Sequence, residues 1–501
     1  MKKIICLVLI GLMAFTNVAC QNKVRENIKD KDIVGEKNVE GNIESESMGT
    51  YNEKVKEHIG ELLPEISDDI RKVLVKNGTK IDPQLDLSDM QIVLFSNMNR
   101  RAYLINSQND KYGAPDENIE YSTDTFKDKT LLTTMFRITE FNDRKTYIFN
   151  VDAFASNGLP KEDLKEELEK SIIHEGVHLV LQSKLEENVQ TGEELMGANR
   201  SIDYPLDSKS RVYRAQQRNF YKKALEAKTE EEKIDFIKKG NYFYKKFTEV
   251  NSNNIIDSEF DKIEGQPRYF EYRGLALLKD INQSEDKLKE ATRIKFLENN
   301  YEINPDIENE IGKNGEFYAI GSLGYANIYA LNIERDLGFI NPSKYLLDKF
   351  GFTENAGDEE LEKNIEKHYN DINSNIKERV DKFTEEMNNP DNITIKIPVF
   401  AKYEENGNIE IEGESIKYLY KGNENNLEKV TKEIKLGNNR ILLKSADIML
   451  EDTTENDQYY YINIPRKDIG IEDNKLTVQL KSLQVYGSKF IEKDGMYILE
   501  E

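Results

Sequence analysis

The chain has 501 residues, more than a single hydrophobic core usually supports, so two or three domains are expected. Hydrophobic residues make up 38% and charged residues 33%, which is typical of a globular protein and excludes a wholly disordered chain. The formal net charge of -23 repels polyanions, which argues against nucleic acid as a partner and favours peptides, proteins or small cationic groups.

Residues 1–20 are predicted to be an export signal rather than part of the fold. A basic start precedes the apolar run 4–15, which is too short to span a bilayer. The run is followed by Ala19 and Cys20, which resemble the processing site of a bacterial lipoprotein signal. This resemblance implies an exported protein, lipid-anchored through Cys20 at the outer face of the cytoplasmic membrane. The alternative is an ordinary secretory signal cleaved nearby.

The chain's 2 cysteines, Cys6 and Cys20, both lie in this segment, so the mature body has no thiol. Disulfide bonds, a cysteine nucleophile and a thiolate zinc site are therefore excluded from the body of the protein. Any metal there must be held by histidines and carboxylates.

The next part of the chain is predicted to contain a tether, a helix, a group of strands and then a long helical region, in that order. Residues 21–50 contain scarcely any large apolar residue and predict a disordered tether. A domain is predicted over 51–388, beginning with apolar residues at helical spacing over 55–73 that Pro64 kinks or breaks. Strand-like runs follow at 91–95, 102–105, 131–138 and 146–151. Helices are then predicted at 160–184, 210–227, 230–250, 268–279, 285–297, 316–337 and 358–387.

A change of period near Pro390 predicts a second, C-terminal domain. The spacing of apolar residues shifts there from about 3.6 to about 2, the values typical of helices and strands. The predicted strands lie at 393–400, 409–411, 416–420, 441–443, 459–464 and 476–480. Residues 389–501 are therefore expected to form a β-rich domain that resembles a β-sandwich, and the fold class is α+β.

The sequence His174-Glu175-Gly176-Val177-His178 lies in the helix predicted over 160–184. Residues four apart lie on one helix face, so His174 and His178 can direct two imidazoles at a single ion, with Glu175 beside them to move a proton. A catalytic zinc site usually takes three protein ligands. Only His58 and His368 remain in the chain, each a lone histidine among charged residues, so a glutamate is expected as the third ligand.

The residues Ile-Glu-Gly-Gln-Pro-Arg-Tyr-Phe-Glu at 263–271 extend this pattern. Together with the paired histidines they resemble the gluzincin peptidases, in particular the aminopeptidase N branch and related bacterial lipoprotein peptidases, whose third ligand opens an Asn-Glu-Gly-x-x-x-Tyr segment. Glu264, Gly265 and Tyr269 match that segment. The resemblance implies a zincin-like, largely helical catalytic domain preceded by a small β-sheet. It also implies Zn²⁺ as the cofactor and Glu264 as the third ligand, with Glu271 as the alternative.

Two further expectations concern the neighbouring helices. Pro267 within the matched segment is tolerable if the helix around it starts at Gly265 or Gln266, because proline fits the first turn of a helix. The aminopeptidase branch also stabilises the tetrahedral intermediate with the tyrosine of a Tyr-x-x-Gly segment, and Tyr318-Ala319-Ile320-Gly321 is similar to it. The resemblance therefore implies Tyr318 as a catalytic residue, with Tyr325 as the alternative.

The resemblance implies an exported, membrane-tethered peptidase that hydrolyses peptide bonds in a peptide or protein by a metal-activated water, with Glu175 as the general base. The strand at 146–151 is expected to pair with an extended substrate, as the edge strand does in zincin folds. One alternative is a non-catalytic surface lipoprotein that binds peptides or an envelope partner on a degenerate peptidase scaffold. A second is a purely structural lipoprotein. Exopeptidase and endopeptidase activity are both open.

Overall fold

The structure is a computed structural model of the whole chain. It describes residues 48–107, 118–126, 135–141, 143–155, 159–182, 202–205, 207–250, 256–298, 313–333, 340–398, 410–411, 416–420, 423–436, 439–451 and 459–500. These residues fall into two compact units, the first drawn from Met1–Met196, Tyr213–Glu310 and Gly315–Gly357, and the second from Gly197–Val212, Ile311–Asn314 and Asp358–Glu501. Among the described helices, none has the length and apolar character needed to span a membrane.

The first unit contains a five-stranded sheet with the order β3-β2-β1-β5-β4. Its strands are β1 (Gln91–Ser96), β2 (Arg101–Ile105), β3 (Ile119–Ser122), β4 (Phe136–Phe141) and β5 (Arg144–Asn150). Only the β1–β5 pair is parallel. Strand β1 is buried along its whole length: Ile92 and Leu94 pack into the main core, and Val93 and Phe95 pack into a smaller cluster. This alternation follows from the opposite directions of successive strand side chains.

Strand β5 is an internal strand, so the prediction that residues 146–151 pair with substrate as an edge strand is wrong. Its backbone is hydrogen-bonded to β1 on one side and to β4 on the other. The edge strands of this sheet, in the part of the chain that the structure describes, are β3 and β4.

Helices form the rest of the first unit. They are α1 (Met48–Ile70), which continues as the π-helical turn Arg71–Val75, α2 (Gly78–Ile81), α3 (Lys161–Gly176), which continues as the π-helical turn Val177–Gln182, α4 (Ser208–Glu226), α5 (Glu230–Val250), α6 (Ile256–Lys279), α7 (Glu285–Glu298), α8 (Lys313–Ala330) and α9 (Pro342–Phe350). Helix α1 is continuous through Pro64, so of the predicted kink or break the break is absent. The helices share one hydrophobic core, which includes Ile59, Ile172, Phe270 and Leu323.

The second unit contains α10 (Glu359–Asn388) and an eleven-stranded sheet. Its strands are β6 (Ile202–Asp203), β7 (Asn392–Pro398), β8 (Glu410–Ile411), β9 (Ile416–Tyr420), β10 (Asn423–Leu436), β11 (Asn439–Glu451), β12 (Tyr459–Pro465), β13 (Ile469–Glu472), β14 (Lys475–Gln479), β15 (Leu483–Lys493) and β16 (Met496–Glu500). Hydrogen bonds join all of them into one sheet, with β15 paired to β11 as well as to β14 and β16. The predicted β-rich C-terminal region is thus a sheet domain, and its resemblance to a β-sandwich stays a prediction.

The coarse α+β prediction is confirmed: the chain is mixed, with a small N-terminal sheet, a helical middle region and a C-terminal sheet domain.

Candidate metal centre

Helix α3 carries the paired histidines. The acidic residues Glu162 and Asp163 in its first turn interact favourably with the positive end of the helix dipole, and Leu164, Leu168 and Ile172 form its buried face. At Val177 the hydrogen bonding changes from α to π, a rare arrangement that is frequent at functional sites. His178 and Gln182 lie in this π-helical turn, four residues apart and hence on one face.

Helix α6 carries the glutamates and lies unusually close to its neighbours. A side chain at Gly265 would place its Cβ 2.5 Å from the backbone carbonyl carbon of Gly321 in α8, and one at Gly274 would place it 2.6 Å from Ile173 in α3. The approach at Gly265 is to backbone and is possible only because glycine has no Cβ, whereas at Gly274 the nearest atom is the end of the Ile173 side chain. The two contacts place α6 directly against the histidine helix on one side and against the Tyr-x-x-Gly segment on the other.

Helix α6 begins at Ile256, twelve residues before the start of the predicted helix 268–279, so Pro267 lies inside the helix and not in its first turn. Proline has no N–H to donate to the carbonyl four residues earlier, which belongs to Ile263. The Gln182 side chain replaces that donor: its Nε2 donates to the Ile263 carbonyl oxygen at 2.8 Å. A partner from another helix thus satisfies the buried carbonyl that the proline leaves unpaired.

His174, His178 and Glu264 converge on one point. The Nε2 atoms of the two imidazoles lie 2.9 Å apart, and Oε2 of Glu264 lies 3.2 Å from Nε2 of His174 and 3.5 Å from Nε2 of His178. Three ligands at the corners of a tetrahedral zinc site with bonds of about 2.05 Å would lie about 3.3 Å apart, so the three separations match that geometry. Among the described residues, these three form the group able to hold a metal ion.

The outer nitrogens of both rings have hydrogen-bond partners. Nδ1 of His174 lies 2.6 Å from Oε1 of Glu271, whose other oxygen accepts a hydrogen bond from Arg268 at 2.7 Å. Nδ1 of His178 lies 2.6 Å from Oε1 of Gln182. When each Nδ1–H donates to its partner, both Nε2 atoms present lone pairs to the point where Glu264 directs its own.

This donor set fits a divalent cation. Glu264 is only 1% exposed, and its Oε2 receives no well-formed hydrogen bond from the described residues. Buried polar atoms are rarely left unpaired, and three converging lone pairs repel one another unless a positive charge lies between them. Two imidazole nitrogens and one carboxylate oxygen are ligands that zinc prefers. Glu271 contacts Nδ1 of His174, on the side of the ring away from the point where the three ligand atoms converge.

The pKa shifts in the site also favour positive charge at the point where the side chains converge. Burial alone would lower the pKa of His174, but Glu264 and Glu271 raise it to about 10. Burial would raise the pKa of Glu264, yet His178 and His174 hold it well below its usual range. Burial also opposes ionisation of Glu271, but Arg268 and His174 lower its pKa. The carboxylates therefore create a field that attracts positive charge to the imidazoles.

Glu175 lies beside the ligands, with a side chain that is only 5% exposed. Burial raises its pKa to about 7, and the neighbouring His174 and His178 oppose that rise. It is absent from the group of converging ligand atoms, which leaves its carboxylate available to accept a proton.

The two candidate tyrosines lie in helix α8. Tyr318 lies three residues before Gly321, the residue at which α8 crosses closest to Gly265, but its side chain is outside the described part of the chain. Tyr325 is fully buried, and its hydroxyl donates to the carbonyl oxygen of Ile340 at 2.6 Å. Tyr325 therefore packs in the core with its hydroxyl bound to the backbone, and both tyrosines stay predictions.

His58 and His368 lie in α1 and α10 and do not belong to the metal-binding group found among the described residues. Sequence reasoning missed Gln182, although it lies four residues after His178 and therefore on the same helix face. It named Glu271 only as an alternative ligand and did not anticipate the contact of Glu271 with Nδ1 of His174.

Comparison with protein-family models, with curated proteins and with solved structures yields no match.

Proposed function

We propose that the protein is a zinc-dependent peptidase with a zincin-like catalytic domain. The observation that carries the proposal is the convergence of His174 Nε2, His178 Nε2 and Glu264 Oε2 within 4.8 Å of one another, with Glu175 adjacent on the same helix. Three protein ligands of this kind, which leave a position for water, are typical of catalytic rather than structural zinc sites. The histidine spacing with an intervening glutamate is typical of metallopeptidases.

In this proposal each side chain has one task. Zinc, when bound, lowers the pKa of a coordinated water and polarises the substrate carbonyl. Glu175 accepts the proton of the attacking water and passes it to the leaving amine. Glu271 and Gln182 orient the two imidazoles, and Arg268 holds Glu271 in place. Tyr318 is proposed, from the sequence resemblance alone, to donate a hydrogen bond to the tetrahedral intermediate.

The proposal predicts metal-dependent cleavage of peptides. The purified mature protein is expected to hydrolyse members of a mixed peptide library, because the site combines a metal with a base. A chelator should abolish the hydrolysis, and about one equivalent of zinc should restore it. Cleavage is followed by mass spectrometry and metal content by elemental analysis. A protein that binds zinc but cleaves nothing would be the non-catalytic peptide-binding lipoprotein instead, and a protein that binds no zinc would be a structural one.

We also propose, from the sequence alone, that the protein is exported and tethered to the outer face of the cytoplasmic membrane by a lipid on Cys20. The Cys20→Ala variant is expected to move from the membrane fraction to the medium, because acylation needs the thiol and no other cysteine remains after the apolar run. Immunoblots of the two fractions measure the change. A variant that stays in the membrane fraction would show that another anchor exists.

A further inference from the structure

We propose that Gln182 is a positioning residue for the His178 ligand, held in its working orientation by the carbonyl that Pro267 leaves unpaired. This inference rests on the metal site in the proposed function. It adds a chemical reason why a proline lies inside the helix that carries Glu264.

The first step concerns the orientation of the Gln182 amide, which is 3% exposed. Its Nε2 lies 2.8 Å from the carbonyl oxygen of Ile263, and its Oε1 lies 2.6 Å from Nδ1 of His178. The reverse orientation would bring the amide oxygen against the Ile263 carbonyl oxygen, two acceptors with no proton between them. The Ile263 carbonyl therefore fixes which end of the amide faces His178.

The orientation of the Gln182 amide determines the tautomer of His178. An amide oxygen can only accept, so Nδ1 of His178 must carry the hydrogen and Nε2 must present its lone pair. That lone pair points toward Nε2 of His174 and Oε2 of Glu264, at 2.9 and 3.5 Å. The orientation of Gln182 thus prepares His178 to bind a metal ion.

Pro267 leaves the Ile263 carbonyl available to the Gln182 amide. In an uninterrupted helix the N–H at position 267 would donate to the Ile263 carbonyl, and Gln182 would have no unshared acceptor. Because Pro267 has no N–H, the carbonyl requires an outside donor. Ile263 directly precedes Glu264, so the same hydrogen bond also ties the backbone of the glutamate ligand to the histidine helix.

The two hydrogen bonds of Gln182 can be separated by mutation. Gln182→Met removes both, so it is expected to lower the melting temperature and to weaken zinc binding by about 10- to 100-fold. Adding Pro267→Ala supplies a backbone N–H for the Ile263 carbonyl. The Gln182→Met/Pro267→Ala protein is therefore expected to recover its melting temperature but to bind zinc as weakly as Gln182→Met.

The rescue variant is Gln182→Glu in the same Pro267→Ala background. Its carboxylate accepts from Nδ1 of His178, so zinc affinity is expected to return. Its second oxygen faces the Ile263 carbonyl oxygen with no proton between them, so the melting temperature is expected to stay below that of Gln182→Met/Pro267→Ala. Zinc dissociation constants come from competition with a chelating dye. The tautomer of His178 is read directly from long-range ¹H–¹⁵N spectra of the zinc-free protein, which contains only 4 histidines. In the wild type, His178 should be mainly the Nδ1–H tautomer. In Gln182→Met, that tautomer should no longer predominate.

Three results would overturn the inference. They are wild-type zinc affinity in Gln182→Met, an unchanged tautomer in that variant, and recovery of zinc affinity in Gln182→Met/Pro267→Ala, which would make the role of Gln182 purely structural. The tautomer measurement uses zinc-free protein and requires no catalysis. A wild type with the Nδ1–H form but no peptidase activity would therefore contradict the proposed function and leave the role of Gln182 intact.

Discussion

Replacing Glu175 by glutamine is expected to abolish peptidase activity while leaving zinc content and fold unchanged. Glu175 directly follows His174, a proposed ligand, yet its carboxylate is outside the group of converging side-chain atoms. It is therefore placed to move protons and not to hold the ion. Loss of a general base costs a factor of roughly 10² to 10⁴ in rate, because the substituted amide cannot take the proton of the attacking water.

The matched control for this variant is Glu162→Gln, the same isosteric change at an exposed position in the first turn of the same helix. Cleavage of the best peptide from the library is measured for wild type and both variants, with zinc content determined in each. The control should retain wild-type activity. If Glu175→Gln also retains wild-type activity at equal zinc occupancy, Glu175 is not the general base. The proposed mechanism then has no residue that accepts the proton of the attacking water.

Elements with a regular apolar period were predictable from the sequence. Helix α5 has the predicted bounds, Glu230–Val250, because its buried residues recur at helical spacing and three glutamates open its first turn. Strand β10 was missed, since its buried residues Leu427, Val430 and Ile434 are three and four apart, as in a helix. A β-bulge between Val430 and Lys432 interrupts the alternation there.

One missed helix did carry a local signal. Helix α9 begins at Pro342, preceded by Asn341, whose side chain accepts a hydrogen bond from the backbone N–H of Lys344 at 2.8 Å. Asparagine at the N-cap followed by proline at the first helical position is a known helix start. The helix is only nine residues long, and apolar periodicity alone does not detect elements of that length.

Part of the candidate centre was predictable from local sequence, and part depends on packing between helices. His174 and His178 were predictable as a pair, because four-residue spacing places them on one helix face. The position of Glu264 against them depends on the close contacts of Gly265 and Gly274 with other helices, which no periodicity encodes. The extent of helix α6 was mispredicted because a proline usually ends or starts a helix, whereas here a side chain from another helix replaces the lost hydrogen bond.

Replacing Glu264 is expected to weaken zinc binding more than replacing Glu271, because only Glu264 directs an oxygen at both Nε2 atoms. Oε2 of Glu264 lies 3.2 Å from Nε2 of His174, whereas Glu271 contacts Nδ1 of the same ring at 2.6 Å. A four-ligand zinc site binds with roughly 10 to 16 kcal/mol, so one ligand contributes about 2.5 to 4 kcal/mol, or roughly 10² to 10³ in affinity. Loss of the hydrogen-bond partner of Nδ1 in a ligand histidine lowers metal affinity by about 10- to 100-fold.

The comparison uses Glu264→Gln and Glu271→Gln, which keep side-chain volume and remove one charge each. The amide oxygen of Glu271→Gln can still accept from Nδ1 of His174. The loss of zinc affinity in this variant should therefore be at the low end of the 10- to 100-fold range, about tenfold. Glu264→Gln should bind zinc at least about tenfold more weakly again, with circular dichroism confirming that both variants fold. Zinc dissociation constants are measured by dye competition, and X-ray absorption reports the ligands. The reverse order of affinities would make Glu271 the third ligand, and wild-type affinity in both variants would remove both glutamates from the centre.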